Sequence, residues 1–181
     1  MPTLAAVAAG LALAALPQQG VLVQGKSLGG VRLGMTPAQV RATWGRTYGI
    51  CRGCPDRTWY FTYAKFTPQG AGVAFRRGHV VEVYTVWSPA GWRTTKGLRI
   101  GDAESRATTL YGPLLRVHCG SYDALVANDR GVQSAIYLYG DKVWGFGLSS
   151  AAAPVCHSAR RGAATRRAGS PAGSAPRRPA R

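Results

Sequence analysis

Leu33-Gly34-Met35-Thr36-Pro37-Ala38-Gln39-Val40, running on to Trp44-Gly45, is the stretch that decides how this chain is read. Thr36 is a good N-cap and Pro37 suits the first helical position. Gln39 stands three residues after Thr36, the spacing of a capping box. Gly45 supplies a C-terminal stop. The same plan returns in Ile100-Gly101-Asp102-Ala103-Glu104-Ser105, running on to Tyr111-Gly112. Gly34 and Gly101 are 67 residues apart, and so are Trp44 and Tyr111, and Gly45 and Gly112. In the second copy Asp102 is placed to cap, with Glu104 favourable in the first turn. A helix N-terminus can hold an anion, but plain helix initiation accounts for both motifs.

Downstream of each helix the pattern turns to strands. In the first copy these are Thr58–Phe66, Gly72–Arg76 and Val80–Trp87, with turns at Pro68-Gln69-Gly70 and Arg77-Gly78. In the second they are Ser121–Ala127, Gln133–Tyr139 and Lys142–Ser149, with turns at 128–131 and Gly140-Asp141. The sequence therefore predicts an α+β fold. Its plan is a tandem duplication of a helix plus a three-stranded antiparallel meander, with the helices on one face of the sheet. The expected division is a signal peptide over 1–25, a first repeat over 26–92, a second over 93–156 and a disordered Arg-rich tail over 157–181.

The phrase Gly34-Met35-Thr36, Gln39-Val40 and Gly45, then Trp59-Tyr60-Phe61, then Val73, Phe75, Gly78 and Val80, resembles the small exported family that includes the SmpA/OmlA lipoproteins. It is also similar to the β-lactamase inhibitory proteins, which carry two such units in tandem. The resemblance covers residues 28–149 and is clearest in the first copy. It implies helices on one face of a sheet, an open opposite face, and binding of proteins rather than catalysis.

Strand alternation assigns residues to that open face. With Val73 and Phe75 inward, Arg76 points out. With Ile136 and Leu138 inward, Tyr137 and Tyr139 point out. Glu82 should face water and bring Tyr84 with it. The candidate contact residues are Tyr84, Tyr137, Tyr139, Arg76, Glu82 and Tyr60, since Tyr and Arg are enriched in interfaces. Tyrosines also simply suit half-buried strands.

Four cysteines are present: Cys51, Cys54, Cys119 and Cys156. An even count in an exported chain points to two disulfides, which four cysteines can form in three ways. The favoured pairing is Cys51–Cys54 with Cys119–Cys156. Cys51-Arg52-Gly53-Cys54 could instead be a redox pair, but a strand follows it where that chemistry needs a helix. The four thiols with His118 and His157 nearby could bind zinc, although a second Cys-x-x-Cys is missing.

Leu4 to Leu16 is an uncharged Ala/Leu-rich run of 13 residues. It is too short to span a bilayer and fits a secretory h-region. No cysteine follows it closely, so no lipid anchor is expected. Net charge is +16, with 19 Arg, 4 Lys and 7 acidic residues. Seven of the arginines lie beyond residue 157, which leaves +9 for the rest of the chain. Few acids, three histidines and no Gly-x-Ser-x-Gly, His-Glu-x-x-His or Walker pattern argue against an enzyme. No cofactor is expected. The predicted function is an exported, inhibitor-like binding module for an extracellular or envelope protein. The alternative is a basic protein that grips an anionic envelope polymer. Nucleic acid is not expected, because the tail lacks interleaved aromatics.

Overall fold

The computed structural model describes residues 20–61, 70–87 and 89–157. The h-region, the far half of the strand expected over 58–66, and the expected Arg-rich tail apart from its first residue, His157, lie outside them. In chain order the elements are β1 (Val21–Val23), β2 (Ser27–Leu28), α1 (Pro37–Trp44), β3 (Gly49–Ile50), β4 (Arg57–Phe61), β5 (Gly70–Arg76) and β6 (His79–Val86). There follow β7 (Arg93–Thr94), α2 (Glu104–Tyr111), β8 (Leu115–His118), β9 (Asp123–Asp129), β10 (Val132–Tyr139) and β11 (Lys142–Ser150). β1 lies inside the segment read as a signal peptide, yet Leu22 is part of the core.

The expected α+β pair of three-stranded meanders is corrected. Eight strands form one antiparallel sheet in the order β3-β4-β5-β6-β11-β10-β9-β8, and β2-β1-β7 form a small second sheet. The described residues are mostly β, with two helices of eight residues each. Two physical facts account for the difference. β3 and β8 are short, largely exposed strands and carry no alternation to read. β6 and β11 pair with each other from Glu82↔Ser149 to Val86↔Gly145, so no boundary separates the halves.

The capping box at Thr36 forms: its backbone N–H donates to Gln39 Oε1 at 2.8 Å, and its hydroxyl accepts from the Gln39 N–H. The cap expected from Asp102 does not form. Ala103 is the N-cap of α2 and makes no side-chain bond. The Asp102 carboxylate instead accepts from the Arg99 N–H and pairs with Arg106. The turn before each helix is tied to the last strand of its own half. Gly34 donates to the Val80 carbonyl and Val80 to the Met35 carbonyl. Gly101 donates to Val143, and Val143 to Asp102, in the same way.

Trp44, Trp59, Trp92, Phe61, Phe146, Leu98 and Leu148 fill the core on the helix side of the sheet. Two β-bulges decide what reaches the other side. Ala74 pairs with Glu82 but Phe75 with Val80, so Val81 is the extra residue in β6. Tyr137 pairs with Gly145 but Leu138 with Val143, so Trp144 is extra in β11. A bulge lets two residues flanking it keep one face. Val80 and Val83 thus both enter the helix-side core, while Tyr84 and Trp144 are turned to the opposite face.

Candidate functional site

The face away from the helices carries Tyr84, Tyr122, Tyr137 and Trp144, with Val86, Ala124, Val126, Ala135 and Val155. The sheet beneath is lined by glycines. A Cβ on Gly72 would run into the Tyr84 ring, and one on Gly147 into the Tyr137 hydroxyl. The tyrosine rings therefore lie down along the strands over bare backbone.

This face is covered, not open. After β11 the chain turns back, with Ala151 donating to the Gly131 carbonyl and Ala153 to the Ser150 carbonyl. Residues 151–157 then cross the tyrosines as a strap. The Tyr137 hydroxyl donates to the Val155 carbonyl at 3.3 Å, and the His157 N–H donates to the Tyr122 hydroxyl. Cys156 is bonded to Cys119, and Cys51 to Cys54. With all four thiols bridged, the thiolates that a zinc site would need are gone.

His157, which the sequence places at the start of the tail and beside the thiols weighed for zinc, is the hub of this arrangement. Its ring packs on Tyr84 with centroids 3.9 Å apart. Its Nε2 lies 2.7 Å from the Tyr137 hydroxyl, and its Nδ1 lies 3.3 Å from Glu82 Oε1. Burial pushes the Glu82 carboxyl up to about 8, helped by the nearby Asp56 charge. Burial pushes the imidazole down to about 3. At pH 7 both are neutral, so their contact is an acid against an imidazole and not an ion pair. One proton assignment serves the chain from His157 through Tyr137 to the Val155 carbonyl. Nε2–H donates to the Tyr137 oxygen, leaving the Nδ1 lone pair toward the protonated Glu82. Their geometry falls short of a hydrogen bond, and Glu82 Oε1 has no hydrogen-bond partner.

The other predicted contact residues separate into two groups. Tyr84 and Tyr137 are 8% and 2% exposed, and Tyr60 is half-buried with its hydroxyl 3.3 Å from Cys54 Sγ. These belong to the packing beneath the strap. Arg76 is exposed, grips the Asp56 carboxylate with two hydrogen bonds of 3.0 and 2.8 Å, and reaches the Ala152 carbonyl at 3.5 Å. Tyr139 stands out at 55% exposed, and Trp87 at 46%. Both flank Trp144, with ring centroids at 6.0 and 6.5 Å. Trp87 is held at φ 57°, and its N–H donates to the Trp144 carbonyl at 2.7 Å. The Trp144 indole N–H is buried without a partner. The sequence signal for this rim was its tryptophans, which alternation alone could not assign to a side.

No family model matches this chain, and no curated protein matches it. Its structure is similar to that of an extracellular protein containing an SCP domain from Bacillus anthracis, at 11% identity and TM-score 0.44, over 65% of this chain and 44% of that one. It is similar to a DUF4309 family protein from Bacillus subtilis, at 13% identity and TM-score 0.46, over 70% of this chain and 83% of that one. It is also similar to a cysteine-rich secretory protein from Staphylococcus aureus, at 15% identity and TM-score 0.39, over 65% and 44%. The chain thus spans less than half the length of the first and third of these.

Proposed function

We propose that this is an extracytoplasmic, non-catalytic module that binds a protein partner through the aromatic rim formed by Trp87, Tyr139 and Trp144. The observation that carries the proposal is Trp87. A bulky residue at positive φ is strained, at a cost of order 1–3 kcal/mol, and such strain collects at functional positions. Here the strain holds a half-exposed indole beside a half-exposed tyrosine. Exposed Trp and Tyr are the side chains that most often dominate binding energy. The two disulfides support an oxidising compartment, and no helix among the described residues is long and apolar enough to cross a membrane.

The test is capture from secreted and envelope extract at high salt, comparing the full chain with Trp87→Gly and Tyr139→Ala. Glycine at 87 relieves the strain, so stability should hold or rise by up to about 1 kcal/mol. Loss of one stoichiometric partner in both variants, with unchanged melting, is the expected result. Retention of that partner in both rejects the rim. The alternative reading is adhesion to an anionic envelope polymer, favoured by the formal net charge of +16.

A further inference from the structure

Positive charge is unevenly compensated along this fold. Residues 1–55 contain no Asp or Glu but hold Lys26, Arg32, Arg41, Arg46 and Arg52. The first acid, Asp56, is taken up by Arg76. In the second half four of the five acids meet cations of their own half: Asp102 pairs with Arg106, Glu104 and Asp123 both pair with Arg116, and Asp129 with Arg130. Among the described residues, Arg41, Arg46, Arg52 and Arg57 take part in no ion pair, as Arg32, Arg77, Arg93 and Arg99 also do not; what sets the four apart is their place around β3 and Trp59.

Two of these arginines, Arg41 and Arg57, meet at Trp59, and Arg46 and Arg52 lie in the segments that flank β3 in the chain. Among the described strands β3 is terminal, hydrogen-bonded to β4 alone, and Gly49 and Ile50 are both exposed. Arg41 comes from α1 and Arg57 from β4, and their guanidinium carbons lie 5.6 and 5.7 Å from the centroid of the same Trp59 ring. Tyr48 stacks on that ring at 4.0 Å. Guanidinium groups resting on a buried aromatic stack lose little further freedom when they bind an anion. Arg46 is exposed between α1 and β3, and Arg52 is exposed inside the small ring closed by Cys51–Cys54. The four cations come from α1, the loop before β3, the disulfide ring after it and β4, a spread that suits a chain of anions better than a single one.

We infer that the β3 edge, with Arg41, Arg46, Arg52 and Arg57, is the binding site for a linear polyanion carrying repeated phosphate or carboxylate groups. Arginine forks fit both groups, and uncompensated charge on a low-dielectric surface focuses the field there. The inference rests on the polymer-adhesion function above and gives it a location.

The experiment measures binding of the oxidised full chain to inorganic polyphosphate and to a polyuronate, at about 50 and 200 mM salt. One variant carries Arg→Gln at 41, 46, 52 and 57. A charge-matched control carries Arg→Gln at 77, 93, 99 and 130. A third carries Arg→Gln at the seven tail positions. Loss of about tenfold or more in affinity, with a flatter salt dependence, is expected from the edge variant alone. Arg46→Gln with Arg52→Gln, which leaves Trp59 covered, should give part of that loss with unchanged melting. Equal losses in edge variant and control, or loss confined to the tail variant, overturn the site while leaving polymer adhesion standing. Failure of the unmodified chain to bind either polymer overturns both. Binding of polyphosphate alone assigns a phosphate polymer to the site, and binding of the polyuronate alone a carboxylate polymer.

Discussion

Glu82 and His157 carry opposite titration pressures within one contact. The Glu82 pKa rises from 4.5 to about 8 on folding. Its contribution is therefore present below pH 4.5 and is lost as pH rises through 8. The His157 pKa falls from 6.5 to about 3. Its contribution is present above pH 6.5 and is lost as pH falls through 3. Between pH 4.5 and 6.5 the two slopes cancel. Stability should therefore form a plateau there and decline on both sides, each limb no steeper than about 1.4 kcal/mol per pH unit. Melting temperature measured from pH 3 to 9 tests this. Glu82→Gln should flatten the alkaline limb and His157→Gln the acid limb; an unaltered profile in both would reject the pairing. Alternation did place Glu82, Tyr84 and Tyr137 together on one face. It could not show that the face was covered, because the covering residue, His157, sits past the last strand in a segment of Ala, Pro and Ser with no periodicity.

The strap over 151–157 contains no helix or strand, so its hold on the sheet comes from one backbone bond at its start, Ala151 N–H to the Gly131 carbonyl, from side-chain contacts and from one covalent bond. Cys119–Cys156 closes 37 residues of chain, which in the chain-entropy model is worth roughly 3–4 kcal/mol. Cys51–Cys54 closes only 3, worth about 2 kcal/mol in the same model. Cys119→Ala with Cys156→Ala should lower stability more than Cys51→Ala with Cys54→Ala, as read by urea denaturation. The former should also expose Tyr84 and Tyr137 to solvent, read by hydrogen exchange of β10 and by ultraviolet difference absorption. Equal costs, with the tyrosines still protected, would mean that the strap is held by packing alone. Elements with local signals were legible in the sequence: α1 from its capping box, and β5, β6, β10 and β11 from alternation bounded by Gly turns. β3 and β8 were not, since two exposed residues and four mostly exposed ones give no period. The cap of α2 was misplaced by one residue, because Asp102 serves the backbone of the preceding turn.

At the scale of the whole molecule the decisive feature is the seam between β6 and β11. Two separate meanders would each end in an exposed edge strand open to pairing with another chain. Here the last strand of each half covers the other, and among the described strands the short β3 and β8 stand at the ends of the sheet. Position 145 is where the seam tolerates least. A Cβ on Gly145 would fall on the Thr85 carbonyl oxygen of β6, and backbone cannot step aside as a side chain can. Gly145→Ala should therefore destabilise by about 2 kcal/mol or more, through lost pairing and strain. Gly49→Ala, where nothing lies within 4 Å, is the matched control and should change stability by less than about 0.5 kcal/mol. The same seam predicts how the molecule unfolds. Trp59 reports on the first half and Trp144 on the second. With a continuous sheet between them, single-tryptophan variants should show coincident denaturation curves. Transitions that separate, with Trp144 melting apart from Trp59, would mean that the two halves fold as independent units and that the seam contributes little to either.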